Sequence, residues 1–281
     1  MINIKRLLQT RDDDLLKEFP DYTRGELRRL KRDNKPTPKP PKILIFDTEN
    51  SQMETKVWQL KGNLYIDPKR ITKDWCLLCY SAKWLGSNIM IHDRLTSKEA
   101  INKDDKRISK SLWELLDETD MVVAHNGDAF DIKKANARFL KHNLNLPSPY
   151  RSIDTLKIAR KYFKLPSNTL DYICKYLEIP RKLETGGIKL WDDCELGDEQ
   201  ALKKMDIYCR NDVKILEEVY LRLRPYDKSH PNLGVYLEDK SLCNNCGAGN
   251  LKQEGFYTTQ FSMYKIFRCK CGAINYSKIK V

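Results

Sequence analysis

The 281-residue chain is 41% hydrophobic and 32% charged, which supports a real core in one large domain or two smaller ones. No apolar run approaches the ~20 residues of a membrane span, and the opening Met-Ile-Asn-Ile-Lys-Arg leads into charged sequence without the apolar stretch of a secretory signal. The net charge of +12 sits in the flanks, with +5 on residues 1–42, +6 on residues 240–281 and +1 on the long middle; this suits ends that hold a polyanion as well as a surface tuned for solubility.

Residues 1–33 read as two short helices. Leu15 and Leu16 mark the first. Thr23-Arg-Gly-Glu26 is a capping box that opens the second, which runs through about Arg32. Arg24, Arg28, Arg29, Lys31 and Arg32 make the pair look like a small helix-turn-helix-type DNA-binding element, or a solvated basic face. Residues 34–42 hold four prolines in nine residues and read as an extended linker.

The apolar run Ile43-Leu-Ile-Phe46 reads as a strand, with further strands at Trp75–Trp84 and Asn88–His92. A long polar helix is expected near Lys98–Leu116. Met121–Ala124 reads as a buried strand, Ala129–His142 as a helix and Arg151–Ile153 as a short strand. Helices follow near Thr155–Tyr162 and Thr169–Leu177, and a last long one over 199–223. Paired strands followed by strand–helix alternation predict a mixed α/β sheet with helices on both faces.

Three acidic groups fall at informative places. Asp47-Thr48-Glu49 follows the first strand, where residues i and i+2 share a face, so the two carboxylates project together. Such a pair repels unless a cation lies between, or it is only a polar strand end. Asn126-Gly-Asp-Ala-Phe130-Asp131 places an amide at a strand end and a carboxylate in the first turn of a helix, where the helix dipole favours it even without a function. Tyr208-Cys-Arg-Asn-Asp212 sets a phenol and a carboxylate one turn apart on the last helix.

In this order, over residues 43–224, the three elements resemble the DEDDy branch of the DEDD 3′–5′ exonucleases. The closer likeness is to the proofreading domain of family B DNA polymerases, as found in freestanding phage and microbial exonucleases. Ser152-Ile-Asp-Thr-Leu156 and Thr169-Leu-Asp-Tyr172 also look like this family, and no polymerase palm motif is present. The resemblance implies a ribonuclease H-like domain over 43–228 that removes nucleoside monophosphates from DNA 3′ ends. It implies that Asp47, Glu49, Asp131 and Asp212 hold two Mg²⁺ or Mn²⁺ ions, Asp47 bridging both and Asp131 acting through water. Two such metals activate a water, neutralise the phosphate and stabilise the leaving oxygen. Tyr208 would orient the attacking water. Asn126, Phe130 and Thr48 would contact the terminal nucleotides, although Phe130 fits core packing equally well. His125, at a strand end, reads as structural, and Asp154 and Asp171 are assigned to the scaffold or to substrate contact, not to metal.

Cys243-x2-Cys246 and Cys269-x-Cys271, each followed by Gly, predict four thiolates around one structural Zn²⁺ in a ribbon over 240–281. Its charge of +6, with Phe256, Tyr257, Tyr264 and Phe267, fits nucleic-acid binding; a protein-docking ribbon is the alternative. Cys76 and Cys79 lie i, i+3 in a strand-like run and face opposite sides, so with Cys174, Cys194 and Cys209 they read as buried small hydrophobes. Nine cysteines, an odd number, suit a reducing cytoplasm. RNA-directed or internal cleavage by the same core, and a non-catalytic nucleic-acid-binding or partner-docking protein, are the competing functions. A polymerase or another replication or repair protein is the expected partner, and a prokaryotic or phage-infected cell the expected setting.

Overall fold

In the structure, a computed structural model that describes residues 7, 10–34, 39–58 and 66–279, the N-terminal segment forms α1 (Asp12–Glu18) and α2 (Arg24–Asp33). The capping box forms as its sequence requires. The Thr23 N–H donates to Glu26 Oε2 at 2.7 Å, and the Glu26 N–H donates to Thr23 Oγ1 at 3.2 Å. Leu15 and Leu27, both fully buried, close the hairpin around Leu7. Arg24 pairs with Asp13, Arg28 with Asp12 and Lys31 with Asp12, while Arg29 reaches Asp33. The basic face expected to meet a polyanion is thus largely matched by the acids of its own hairpin; the side chain of Arg32 lies outside the described residues. So do residues 35–38 of the proline-rich linker.

The first strand runs on beyond Phe46, as β1 (Ile43–Asn50). It is followed by the small ribbon β2 (Glu54–Thr55) and β3 (Ile71–Lys73), then β4 (Leu77–Trp84) and β5 (Ile91–Arg94). The strand expected at 88–92 starts later because residues 85–90 turn, with the Ser87 N–H donating to the Trp84 carbonyl and the Ile89 N–H to Ser87 Oγ. The long helix expected over 98–116 is two helices, α3 (Ser97–Asn102) and α4 (Lys106–Asp117). Lys103 takes a left-handed conformation at φ 49°, and Asp105 is fully buried at the break. Its carboxylate accepts from the Leu77 N–H, Arg138 and His142, and those partners fix the break between the helices.

Next come β6 (Met121–Ala124), α5 (Asp131–Lys141), β7 (Arg151–Asp154), α6 (Thr155–Tyr162), α7 (Leu170–Tyr176), α8 (Lys189–Glu195), α9 (Glu199–Leu223) and the short α10 (Leu233–Tyr236). The main sheet has the order β5-β4-β1-β6-β7, with β1 antiparallel to β4 and parallel to β6. β1 is therefore the central strand, and the chain leaves it to one side through β4 and to the other through β6. Clefts that bind ligands form at such switch points, at the carboxyl ends of the strands.

The alternation of β1 decides what meets there. Ile43 and Ile45 pack with Val213, Ile215, Leu216 and Val219 of α9, and Asp47 and Glu49 continue that face. Leu44 and Phe46 pack with Ala135 and Phe139 of α5, and Thr48 continues the other. Burying each such apolar side chain is worth about 1.5–3 kcal/mol, which locks the register of β1.

The C-terminal unit is a three-stranded antiparallel sheet of β8 (Leu251–Thr258), β9 (Met263–Cys269) and β10 (Ile274–Lys278). The sequence reads as ribbon strands at Gly255-Phe-Tyr-Thr-Thr and Met263–Arg268, and the third strand has no counterpart in that reading. The four cysteines cluster at one end of this sheet, which fits a zinc ribbon. The unit leans on the core: Asn245, almost fully buried, donates to the Arg224 carbonyl at 2.8 Å, and the Leu233 N–H donates to the Asn244 carbonyl at 2.8 Å.

Candidate functional site

Asp47 and Glu49 leave the end of β1 on the face covered by α9, and Asp212 approaches from that helix. One carboxylate oxygen of each lies within 4.8 Å of the others. Asp47 and Glu49 are half-buried and Asp212 is almost wholly buried. Three carboxylates so close resist ionising together. Burial first, then the charges of Asp131 and Glu49, push the Asp47 carboxyl well above its usual range. Burial and the Asp212 charge push Glu49 up to about 8. Asp212 Oδ1 is buried with no hydrogen-bond partner among the described residues. An unpartnered oxygen in a cluster of strained hard ligands fits a divalent cation, and the residues present suit one.

Asp131 stands apart from this triad. It is the first residue of α5, which packs on the opposite face of the sheet, and it reaches the strand end through Thr48. Its Oδ1 accepts from Thr48 Oγ1 at 2.7 Å and from the Thr48 N–H at 3.2 Å. Burial raises its carboxyl to about 6, against the lowering effect of these bonds. Thr48, assigned above to substrate contact, is 4% exposed, and its hydroxyl is committed to Asp131. It supports a carboxylate, and its side chain has no free face for a nucleotide.

Lys182 is the site residue that sequence reasoning missed. It lies in the segment between α7 and α8, carries no periodic signal and is one of 51 basic residues. Its ammonium pairs with Asp212 and donates to the Tyr208 hydroxyl at 3.1 Å. Burial works against its charge, but Asp212 outweighs burial and raises its pKa. Tyr208 sits one turn before Asp212, against Trp191 at 6.4 Å between ring centres. Burial and the neighbouring Asp212 charge push its phenol up to about 12, so the hydroxyl keeps its proton near neutral pH. Behind Asp47 lies the fully buried Cys209, whose thiol is 3.6 Å from Asp47 Oδ2.

Asn126 follows β6 in a left-handed conformation at φ 65°, pinned by its N–H donating to Asp154 Oδ1 at 2.9 Å. Its side chain is exposed, as is the ring of Phe130 at 44%. Phe130 therefore does not belong to the core, and it carries Lys134 5.3 Å from its ring centre. His125 is structural. Its ring lies between Thr155 Oγ1 at 2.9 Å and the Asn168 carbonyl at 3.0 Å, and burial lowers its pKa to about 4. Asp154 caps α6, and Asp171 pairs with Arg181, so neither joins the carboxylate cluster.

The second cluster is Cys243, Cys246, Cys269 and Cys271, whose sulfurs all lie within 4.8 Å of one another. Gly247 and Gly272 take φ of 74° and 91°, the conformation in which successive N–H groups turn toward a metal-bound sulfur. For Cys243 burial opposes ionisation, but the Asn245 N–H and the Asn275 amide outweigh it and bring the thiol to about 7. Four thiols gathered at this spacing fit a soft tetrahedral ion. Cys76, Cys79, Cys174, Cys194 and Cys209 are free and buried.

Residues 84–224 match the RNase_H_2 family of the RNase_H superfamily, a span that holds Asp131, Tyr208 and Asp212 and begins at the end of β4. Over 130 residues, 46% of this chain, the sequence is 32% identical to a PolC-type DNA polymerase III of Ureaplasma parvum. The fold resembles the family B DNA polymerase of the archaeon Pyrobaculum calidifontis, with a TM-score of 0.50 over 68% of this chain at 17% identity. The chain spans 9% of the first relative and 26% of the second. With its mixed five-stranded sheet and acidic strand end, the chain belongs to the RNase_H superfamily.

Proposed function

We infer that the chain is a metal-dependent 3′–5′ exonuclease that hydrolyses DNA ends to nucleoside monophosphates. The observation that carries this reading is the convergence of Asp47, Glu49 and Asp212 within 4.8 Å at the end of the central strand. Both relatives named above are DNA polymerases, which supports a setting in replication or repair.

Asp47, Glu49 and Asp212 would hold one divalent cation, and Asp47 with Asp131 a second. Bound there, the cations supply an activated water and charge for the phosphate and the leaving oxygen. The protein's own groups do the positioning. Tyr208 keeps its phenolic proton and offers the hydroxyl to the attacking water. Lys182 holds Tyr208 and Asp212 in one geometry and brings positive charge to an acidic pocket that must admit a phosphate. Thr48 fixes Asp131. Asn126 and Phe130, both exposed, would meet the terminal nucleotide by hydrogen bond and by stacking. Four zinc-bound thiolates in the C-terminal ribbon suit a reducing, cytoplasmic setting.

A single-stranded DNA labelled at its 5′ end, incubated with Mg²⁺ or Mn²⁺, tests the reading. The expected result is a ladder that shortens stepwise from the 3′ end and is absent with EDTA or with Asp131→Ala. Internal cuts, or a ladder unchanged in Asp131→Ala, would overturn it.

A further inference from the structure

The strand pairing of the C-terminal sheet gathers three tyrosines that the sequence scatters. Tyr257 pairs with Tyr264 across β8 and β9, and Tyr276 pairs with Ile266, two residues along β9 from Tyr264. Residues i and i+2 of a strand share a face, as do paired residues on neighbouring strands. Tyr257, Tyr264, Ile266 and Tyr276 therefore stand on one face. Their rings confirm it: the centres are 6.5 Å apart for Tyr257 and Tyr264, 5.8 Å for Tyr257 and Tyr276, and 6.5 Å for Tyr264 and Tyr276. Tyr257 and Tyr276 are each about half exposed, at 50% and 53%. Phe256 and Phe267, which alternate with these positions, fall on the other face, so the sequence grouping of four aromatics divides.

The occupant follows from charge. Residues 240–281 carry +6. Lys252 pairs with Arg268, which shares the tyrosine face. Lys252, exposed on that face, forms no ion pair among the described residues, while Arg268 pairs with Glu254; Arg24, Arg28 and Lys31 of the N-terminal hairpin are all matched by acids. Exposed rings with an unmatched ammonium group on the same face are complementary to bases joined by phosphates. Aromatic side chains on an open sheet stack bases without reading their identity.

We propose that the Tyr257, Tyr264 and Tyr276 face, with Lys252, is a platform for single-stranded nucleic acid, separate from the carboxylate site. The platform lies beyond the far end of α9. Asp212 and Arg224, where the ribbon docks, are separated by about 18 Å of helix. A strand would have to be several nucleotides long to touch both. The inference deepens the nuclease reading by adding how the substrate is held, and its test reads binding without turnover, so either can fail alone.

Anisotropy of fluorescent oligothymidine, about 30 nucleotides or about six, is measured on the full-length zinc-loaded protein without added Mg²⁺ or Mn²⁺. Tyr257→Ala, Tyr264→Ala and Tyr276→Ala combined should weaken both probes at least about tenfold. The three Tyr→Phe changes should retain binding, since the ring face is kept. Lys252→Glu should weaken the long probe and flatten its salt dependence. If the Ala variant fails to hold zinc, the Lys252→Glu result decides. Parental affinity in a zinc-loaded Ala variant, or in Lys252→Glu, would overturn the proposal and leave this face to a protein partner.

Discussion

Lys182 pairs with Asp212 and donates a hydrogen bond to Tyr208 from a segment 26 to 30 residues earlier in the chain. Its ammonium brings positive charge into the carboxylate cluster, and it holds the two helix side chains in register. Lys182→Met should leave Asp212 buried without its partner. With Lys182 31% exposed, the loss is below that of a fully buried pair, about 1–3 kcal/mol. Thermal unfolding without divalent cations should show a fall of about 3–8 °C. Added Mg²⁺ should recover more of that fall than it adds to the parent; no difference would separate Lys182 from the cation site.

The same cluster sets a pH dependence. Glu49 is raised from 4.5 to about 8 in the fold. Without a cation the folded chain then holds a proton that the unfolded chain releases between those values. Stability must fall as pH rises through that window. Melting curves from pH 5 to 8 in the absence of divalent cations should show a shallower fall for Glu49→Gln than for the parent. The stabilisation by Mg²⁺ should grow over the same range, because the cation displaces the proton.

Tyr208→Phe removes the hydroxyl and keeps the ring against Trp191. The phenol is protonated at neutral pH, so its loss removes a positioning contact and not a base. Cleavage rate should fall about 10- to 100-fold, with little change in melting temperature. A rate equal to the parent would show that the hydroxyl does not touch the attacking water.

A zinc ion in the ribbon would account for four of the nine cysteines. In the metal-loaded protein, thiol reagent should react slowly with all of them, since the other five are buried. A strong zinc chelator should release four reactive thiols and leave the melting of the RNase H-like unit in place. Release of more than four would mean that the core depends on the ribbon.

Arg138→Ala tests the break between α3 and α4. Arg138 is 2% exposed and Asp105 fully buried, 2.5 Å apart at Arg138 Nε. Removing one partner of such a pair costs about 3–5 kcal/mol, which urea unfolding would register as a lower midpoint. A midpoint unchanged from the parent would mean that His142 and the Leu77 N–H suffice to hold Asp105.

Local chemistry made much of the molecule readable before any coordinates. The i, i+2 spacing of Asp47 and Glu49 stated a shared face, and the long helix over 199–223 was legible in its apolar positions. The cysteine spacings with Gly247 and Gly272 stated a closed tetrahedral cluster. Each of these signals lies within a few residues, and strand or helix geometry converts spacing directly into direction. Tertiary structure alone decided the rest. Asp131 reaches the site from the far face of the sheet through Thr48. Asp105 separates two helices because Arg138 and His142, more than 30 residues later, pack against it. Lys182 enters the acidic cluster from an irregular segment, and the pairing of three strands assembles Tyr257, Tyr264 and Tyr276. Those arrangements depend on contacts between distant segments, whose pairing energy appears only once the core has brought them together.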